Sequence, residues 1–455
     1  MKVIKIGGGC LKDGPAARKI IELIAKRGQG NVFVLSAFYG VTDILISGIE
    51  KALESEDHIS AVITRLRTLH NAVIKDLIDD GEKRKGLSKE LSIIFQRLER
   101  YLFGISFTRE ATPRMQDMVA TFGERISAVI LSRSLAAIGS VSSPLLPEDA
   151  GILTDGKFTD ASALMKKTTE NLSAAVAAVM TPEKILFIPG FYGISETGEV
   201  TTFGRGGSDY SAAVVAAAVH AEVLEIWKDT EGFMTADPDN IPHCRLIPEL
   251  TYEEAAELAY TGAGILHPRT VEPVKKAGID IAVKNTYHPD APGSRITKKA
   301  KAAANIVKSV SYTRDIAVLK VYASGVGARP GILSGITENL SSSGINIKSV
   351  VTSQTCISLL LSRKDIQKGR ESIQKIRPLP FRESSVITDV ALVSIVGEGL
   401  QTNRGVAAKC FTAVSDADVN IEMISFGTST AALYFLVLEE KLDVTLKALH
   451  DIFFN

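Results

Sequence analysis

Lys2-Val3-Ile4-Lys5-Ile6-Gly7-Gly8-Gly9, then Asp13-Gly14-Pro15, then Val32-Phe33-Val34-Leu35-Ser36, decides the fold class. The first run is short, β-type and stops at three glycines, as a strand does before a turn. Asp13 is placed to cap a helix that Pro15 starts. Ala17, Ile20, Ile21 and Ile24 supply its buried face, and Gly28 ends it. Val32 to Leu35 is apolar without a break, which fits a strand buried on both faces. Strand, helix and strand in this order predict an α/β fold with a mostly parallel sheet sandwiched by helices.

Outward from that start, residues 43–138 read as helical almost throughout, because apolar and charged positions interleave at helical period. A strand is expected near Pro144–Leu146, a helix over 161–180 and a buried strand at Lys184–Ile188. Glu196-Thr197-Gly198-Glu199 fits a hairpin turn. An alanine-rich helix follows Gly204-Arg205-Gly206-Gly207-Ser208-Asp209, then a strand at Val223–Trp227. Helices at Glu253–Thr261 and Thr270–Ala277 precede a closing strand at Ile281–Lys284. Pro289, Pro292, Gly293 and the lysine-rich stretch after them mark a boundary near residue 303. Beyond it the chain repeats itself. Gly331 and Gly405 are 74 positions apart, as are Asn346 and Asn420. Each copy reads strand, glycine turn, amphipathic helix, strand. The expected division is 1–303, 304–385 and 386–455, the last two being duplicated α+β units.

Bulk numbers exclude several classes. At 455 residues the chain exceeds one core. Lys plus Arg and Asp plus Glu are both 52, so there is no basic surplus for a nucleic-acid partner. Cys10, Cys244, Cys356 and Cys410 have no metal or disulfide spacing, which fits a reducing cytoplasm; no metal-ligand set is assigned. The glycines after Met1–Ile6 come too early for a signal-peptide core. The apolar run Ser211–Trp227 is broken by His220, Glu222 and Glu225, so no membrane span is expected.

Three features point at a polyphosphate. Lys5 precedes a triple glycine whose backbone amides can approach phosphate oxygens. Gly204 to Asp209 opens a helix, whose free N–H groups and dipole attract an anion, and Arg205 can grip a carboxylate or phosphate. Trp227-Lys228-Asp229 to Asp237-Pro238 is a loop after a strand, where α/β folds bind ligands. Plain turns and an N-cap at Ser208 would explain part of this, but not three glycines around an arginine. Gly151–Lys157 imitates a P-loop, yet Phe158 replaces the magnesium-binding hydroxyl. Gly325-Val326-Gly327 imitates a dinucleotide loop with the wrong spacing.

With Leu266-His267-Pro268-Arg269-Thr270, these segments resemble the aspartate kinase family, and the C-terminal repeats resemble its tandem ACT domains. The resemblance covers essentially the whole chain. It implies transfer of the ATP γ-phosphoryl group to the side-chain carboxylate of L-aspartate, with ATP and Mg²⁺ as cofactors. It implies that Lys5, Gly7 and Gly8 meet the ATP phosphates and that Asp209 organises Lys5. Ser36 and Thr42 would lie near the substrate, Glu124 would face its ammonium, and Arg205, with Gly206, Gly207 and Ser208, would hold its carboxylate end. Lys228, Asp229, Met234 and Asp239 would form the adenine and ribose loop.

Such ACT domains imply an amino-acid effector near the glycine turn and second strand, roughly Gly327–Ile332 (Gly331 and Ile332 included) and Asn346–Ile347, and a homodimer or larger homo-oligomer. No Asp or Glu lies between Asn346 and Lys364, which favours threonine over lysine unless Glu338 or a partner subunit supplies the charge. The chain departs from the family at Gly9 and Cys10, where hydroxyls are usual, at Asp239 for an arginine, and at Lys228 for a common threonine. Two alternatives share these residues: a kinase of another acid, and a regulator whose kinase site has decayed. His267, before Pro268, is expected to buttress a helix start.

Overall fold

The computed structural model describes residues 1–262, 264–300, 306–323, 326, 330–377 and 381–454. Gly325 and Gly327 lie outside them. Two compact units emerge: 1–233 with 248–256 and 264–300, and 234–247 with 257–263 and 301–455.

The first unit contains β1 (Val3–Ile6), α1 (Gly14–Arg27), β2 (Val32–Leu35), α2 (Val41–Glu54), α3 (Asp57–Leu77), α4 (Gly81–Thr108), α5 (Pro113–Ala120) and α6 (Phe122–Ala137). There follow β3 (Ser142–Pro144), α7 (Pro147–Ala150), β4 (Leu153–Thr154), α8 (Met165–Val179), β5 (Ile185–Pro189), β6 (Tyr192–Ser195), β7 (Val200–Thr202), α9 (Gly207–Ala218) and β8 (Leu224–Lys228). Then come β9 (Glu249–Thr251), α10 (Tyr252–Tyr260, its last turn counted with the second unit), α11 (Val271–Ala277), β10 (Ile281–Asn285) and β11 (Ser294–Thr297).

Eight strands form one sheet in the order β3-β5-β2-β1-β8-β10-β11-β9, and only the β10–β11 pair is antiparallel. Asp13 does cap α1, accepting from Ala16 N. β1 and β2 are buried along their whole length, as their continuous apolar runs require. Ile4 and Ile6 join Ile20 and Ile24 of α1 in one core. The period of two therefore sends Lys5 to the opposite face, where α9 packs on β1.

Three boundaries differ from expectation. The strand near residue 144 lies two residues earlier, at Ser142–Pro144. The helix after it begins at Met165, because Thr154 to Leu164 folds back to pair with neighbouring loops. The strand at Ile281–Asn285 does not close the sheet, since β11 and β9 extend it. Ser294-Arg295-Ile296-Thr297 carries one apolar residue, too few for a periodic signal.

The second unit holds β12 (Ser309–Thr313), β13 (Ala317–Tyr322), α12 (Ile332–Ser342), β14 (Ile347–Thr352), β15 (Cys356–Leu361), α13 (Ile366–Gln374), β16 (Glu383–Ile387), β17 (Val390–Val396), α14 (Val406–Asp416), β18 (Met423–Phe426), β19 (Ala432–Leu438) and α15 (Leu442–Phe454). Gly331 and Gly405 stand at the N-caps of α12 and α14 with φ of 94° and 86°. The repeat is therefore structural as well as sequential. Its two four-stranded antiparallel sheets are β14-β15-β13-β16 and β12-β17-β19-β18. The first strand of each copy is thus exchanged: β12 pairs with β17, and β16 pairs with β13. A cut at 385/386 passes through β16, so strand pairing does not follow the consecutive division expected from the repeat. One face of each sheet covers its own helices. The other faces share a core of Val318, Leu360, Leu392 and Leu436.

Candidate active site

Parallel strands end together, so the residues after β1, β2, β5 and β8 converge at one edge of the first unit. A cleft of about 1120 Å³ opens there. Lys5, Gly8, Ser36, Thr42, Glu124, Arg205, Gly206, Gly207, Ser208 and Asp209 all line it. Residues widely separated in the chain are brought together there.

Lys5 is buried, and its Nζ lies 2.6 Å from Asp209 Oδ1. Asp209 sits in the first turn of α9, where the helix dipole favours a negative charge. Burial alone would raise its pKa, but the Lys5 and Lys228 ammoniums override it and hold the carboxyl below its usual range. Lys228 Nζ lies 3.8 Å from Asp209 Oδ2. Asp229, at the same strand end, pairs with Lys12 at 3.0 Å and fills the space beside Gly9.

Glu124 lies in the first turn of α6 and is 4% exposed. Burial pushes its pKa from 4.5 up to about 8, against weaker opposition from the Ala37 backbone, the Lys5 charge and the Ser208 hydroxyl. Its Oε2 has no hydrogen-bond partner in the protein. Such an oxygen at a cleft wall suits a cationic ligand group. Gly123 allows the close approach, since a Cβ there would sit 2.7 Å from Ala37 Cβ. Ser127 Oγ donates to Ser36 O at 2.9 Å and fixes the loop after β2.

Not every glycine amide is free. Gly7 N donates to Trp227 O and Gly207 N to Gly204 O. That leaves the amides of Gly8, Gly9, Gly206 and Ser208 for an anion. Ser208 is not an N-cap; Gly206 holds that position at φ 72°, without a side-chain cap. A Cβ on Gly206 would meet the His267 ring at 2.4 Å, whereas one on Gly40, at φ 75°, would meet nothing within 4 Å. Gly40→Ala should therefore cost about 1 kcal/mol, the left-handed backbone term alone. Gly206→Ala should cost about 2 kcal/mol more, because a ring must also move. Equal melting shifts for the two variants would refute this.

His267 caps the turn at Pro268, accepting from Arg269 N, which is the buttressing role expected of it. Arg269 reaches Asp160, Phe203 O and Ala161 O, and stacks on Tyr210. Sequence reasoning missed that tie. It also missed Lys12 and Asp117. Asp117 is buried and accepts from Thr159 N, Thr202 N and Thr202 Oγ1. An acidic residue on an amphipathic helix carries no signal of burial. Met234 and Asp239 fall in the second unit, where Met234 O accepts from Ser309 Oγ and Asp239 N donates to Asp237.

A model described as the amino acid kinase family matches residues 1–285, and an ACT-domain model matches 393–453. Aspartokinase 1, chloroplastic, of Arabidopsis thaliana is 30% identical over 462 residues, 100% of this chain and 80% of that protein. The aspartokinase of Thermus thermophilus is 31% identical over 360 residues, 77% of this chain and 86% of that protein. Among solved structures, E. coli aspartokinase III in complex with aspartate and ADP superposes with a TM-score of 0.84 over 100% of both chains, at 23% identity, a likeness of fold.

Proposed function

Because the chain belongs to the amino acid kinase family, and within it to the aspartokinases, we propose that it moves the γ-phosphoryl group of ATP onto the side-chain carboxylate of L-aspartate. The observation that carries this reading is the shared cleft of Lys5, Asp209, Glu124 and Arg205. A carboxylate oxygen attacks the γ-phosphorus, the bond to the β-phosphate oxygen breaks, and ADP departs. The attacking group is already ionised near neutrality, so no general base is needed. What remains is positioning and charge neutralisation.

Lys5 serves the phosphates, with the amides of Gly8, Gly9 and Ser208. Arg205, exposed at the cleft rim, takes the α-carboxylate, and Glu124 takes the ammonium. Ser36 and Thr42 border the substrate. Mg²⁺ suits this chemistry as a partner of ATP, shielding phosphate charge when bound. Among the described residues no group of three or more His, Cys, Asp and Glu could hold an ion unaided. The nearby carboxylates, Asp209 and Asp229, would supply at most single ligands beside phosphate and water.

In the second unit, a cavity of about 490 Å³ is lined by Ser334, Thr337, Glu338, Asn346 and Ile347 among others. We place the amino-acid effector there. Glu338 supplies the carboxylate that a lysine side chain needs, which weakens the sequence preference for threonine. Gly331 shapes the turn before this helix rather than lining the cavity, and Ile332 follows it. The edge strands β14 and β18 expose Val350, Ile424 and Phe426, which supports pairing between copies in a homodimer or larger assembly. Among the described residues no helix is long and apolar enough to cross a membrane, and four free cysteines suit a cytoplasmic setting.

The test is ADP release with L-aspartate, L-glutamate and N-acetylglutamate, with and without lysine or threonine. One methylene separates aspartate from glutamate, so kcat/KM should favour aspartate by about 10- to 200-fold. Equal or faster turnover of another acid would overturn the assignment.

A further inference from the structure

Lys228 ends β8, the strand paired with β1 on the side away from β2. Its loop position, by resemblance, implied a nucleoside contact. Its head group faces Asp209. Nζ is 3.8 Å from Asp209 Oδ2 and donates to Gly264 O at 3.0 Å, while Asp209 Oδ1 holds Lys5 at 2.6 Å. Two ammoniums thus flank one carboxylate. At 3.8 Å the Asp209 contact is an ion pair without a hydrogen bond, so two of the three Lys228 N–H donors remain for a ligand.

Charge counting shows why this matters. Lys5 with Asp209 sums to zero, and so does Lys12 with Asp229. Glu124 adds no positive charge, and when ionised it is balanced by the substrate ammonium it is proposed to hold. Without Lys228 the inner cluster has nothing left over to attract a triphosphate, and Arg205 stands at the exposed rim. With Lys228 the cluster carries a net single positive charge, inside a site where water screens it weakly. Lys228 is itself only 18% exposed, so water screens its charge weakly.

We propose that Lys228 is a second catalytic cation on the transferring phosphoryl group, acting with Lys5 from the two sides of Asp209. This rests on the kinase reading above. It assigns Lys228 to the reacting end of the nucleotide and not to the ribose.

The experiment compares steady-state turnover with calorimetric binding of ADP and of β,γ-imido-ATP. Lys228→Met should lower kcat about 100-fold, the scale of one lost charge-stabilising donor. It should weaken β,γ-imido-ATP at least about 10-fold while ADP binding changes by less than about threefold. Lys228→Arg, which keeps the charge, should retain most of kcat. If Lys228→Met does not fold, Lys228→Gln, which keeps a donor for Gly264 O, replaces it. Unchanged kcat, equal weakening of both nucleotides, or a Lys228→Arg as impaired as Lys228→Met would overturn the proposal. A wild-type chain that releases no ADP with aspartate would instead overturn the reading beneath it.

Discussion

Lys5→Met should lower kcat by about a thousandfold, at the upper end of what one oriented donor contributes to a developing phosphoryl charge. Methionine keeps the volume of the side chain, so β1 and its neighbours keep their packing. What disappears is the ammonium 2.6 Å from Asp209. Removing one partner of a buried pair usually costs about 3–5 kcal/mol, because a bare charge is left behind. Here Lys228 remains 3.8 Å from the same carboxylate, so a smaller loss is expected. Lys5→Met/Asp209→Asn should recover the melting temperature without recovering turnover. If the double variant regained activity, or if Lys5→Met turned over normally, the electrostatic role of Lys5 would be wrong.

Glu124→Gln should separate binding from stability. The amide keeps the shape but cannot pair with an ammonium, so KM for aspartate should rise about 10- to 100-fold, the worth of one charged hydrogen bond. Stability should move the other way. With a folded pKa of about 8 against 4.5 in the unfolded chain, the carboxyl is neutral when folded and ionised when unfolded between those values. Its contribution is fully present below pH 4.5 and is lost as pH rises towards 8. Near pH 7 the penalty is about 3 kcal/mol, and glutamine escapes it. Thermal melting should therefore find the variant more stable than the parent near neutrality and no more stable near pH 4.5. For the parent, aspartate affinity should improve as pH rises to about 8, because the ammonium needs the ionised carboxylate. A pH-independent difference in melting would show that Glu124 titrates normally.

Much of the site was legible because its signals are local. A lysine before three glycines and an arginine within a glycine run survive any tertiary context, and the structure puts both on one cleft. Burial was not legible. Glu124 and Arg125 are adjacent charged residues on a helix, a pattern that usually means a solvated face, yet both are buried. Nor could the sequence say which glycine amides are free, since Trp227 O and Gly204 O reach Gly7 and Gly207 only in the folded chain.

By itself the sequence determined the parallel α/β class, the helical span before residue 138, the glycine turns and the repeat of 74 positions. These follow from periodicity and backbone freedom, which neighbouring residues carry among themselves. Only the tertiary structure decided that Asp209 stands between Lys5 and Lys228, that burial raises the pKa of Glu124, and that β12 and β16 exchange sheets. Charge pairing, desolvation and strand order depend on which distant segments meet. No local pattern records that meeting.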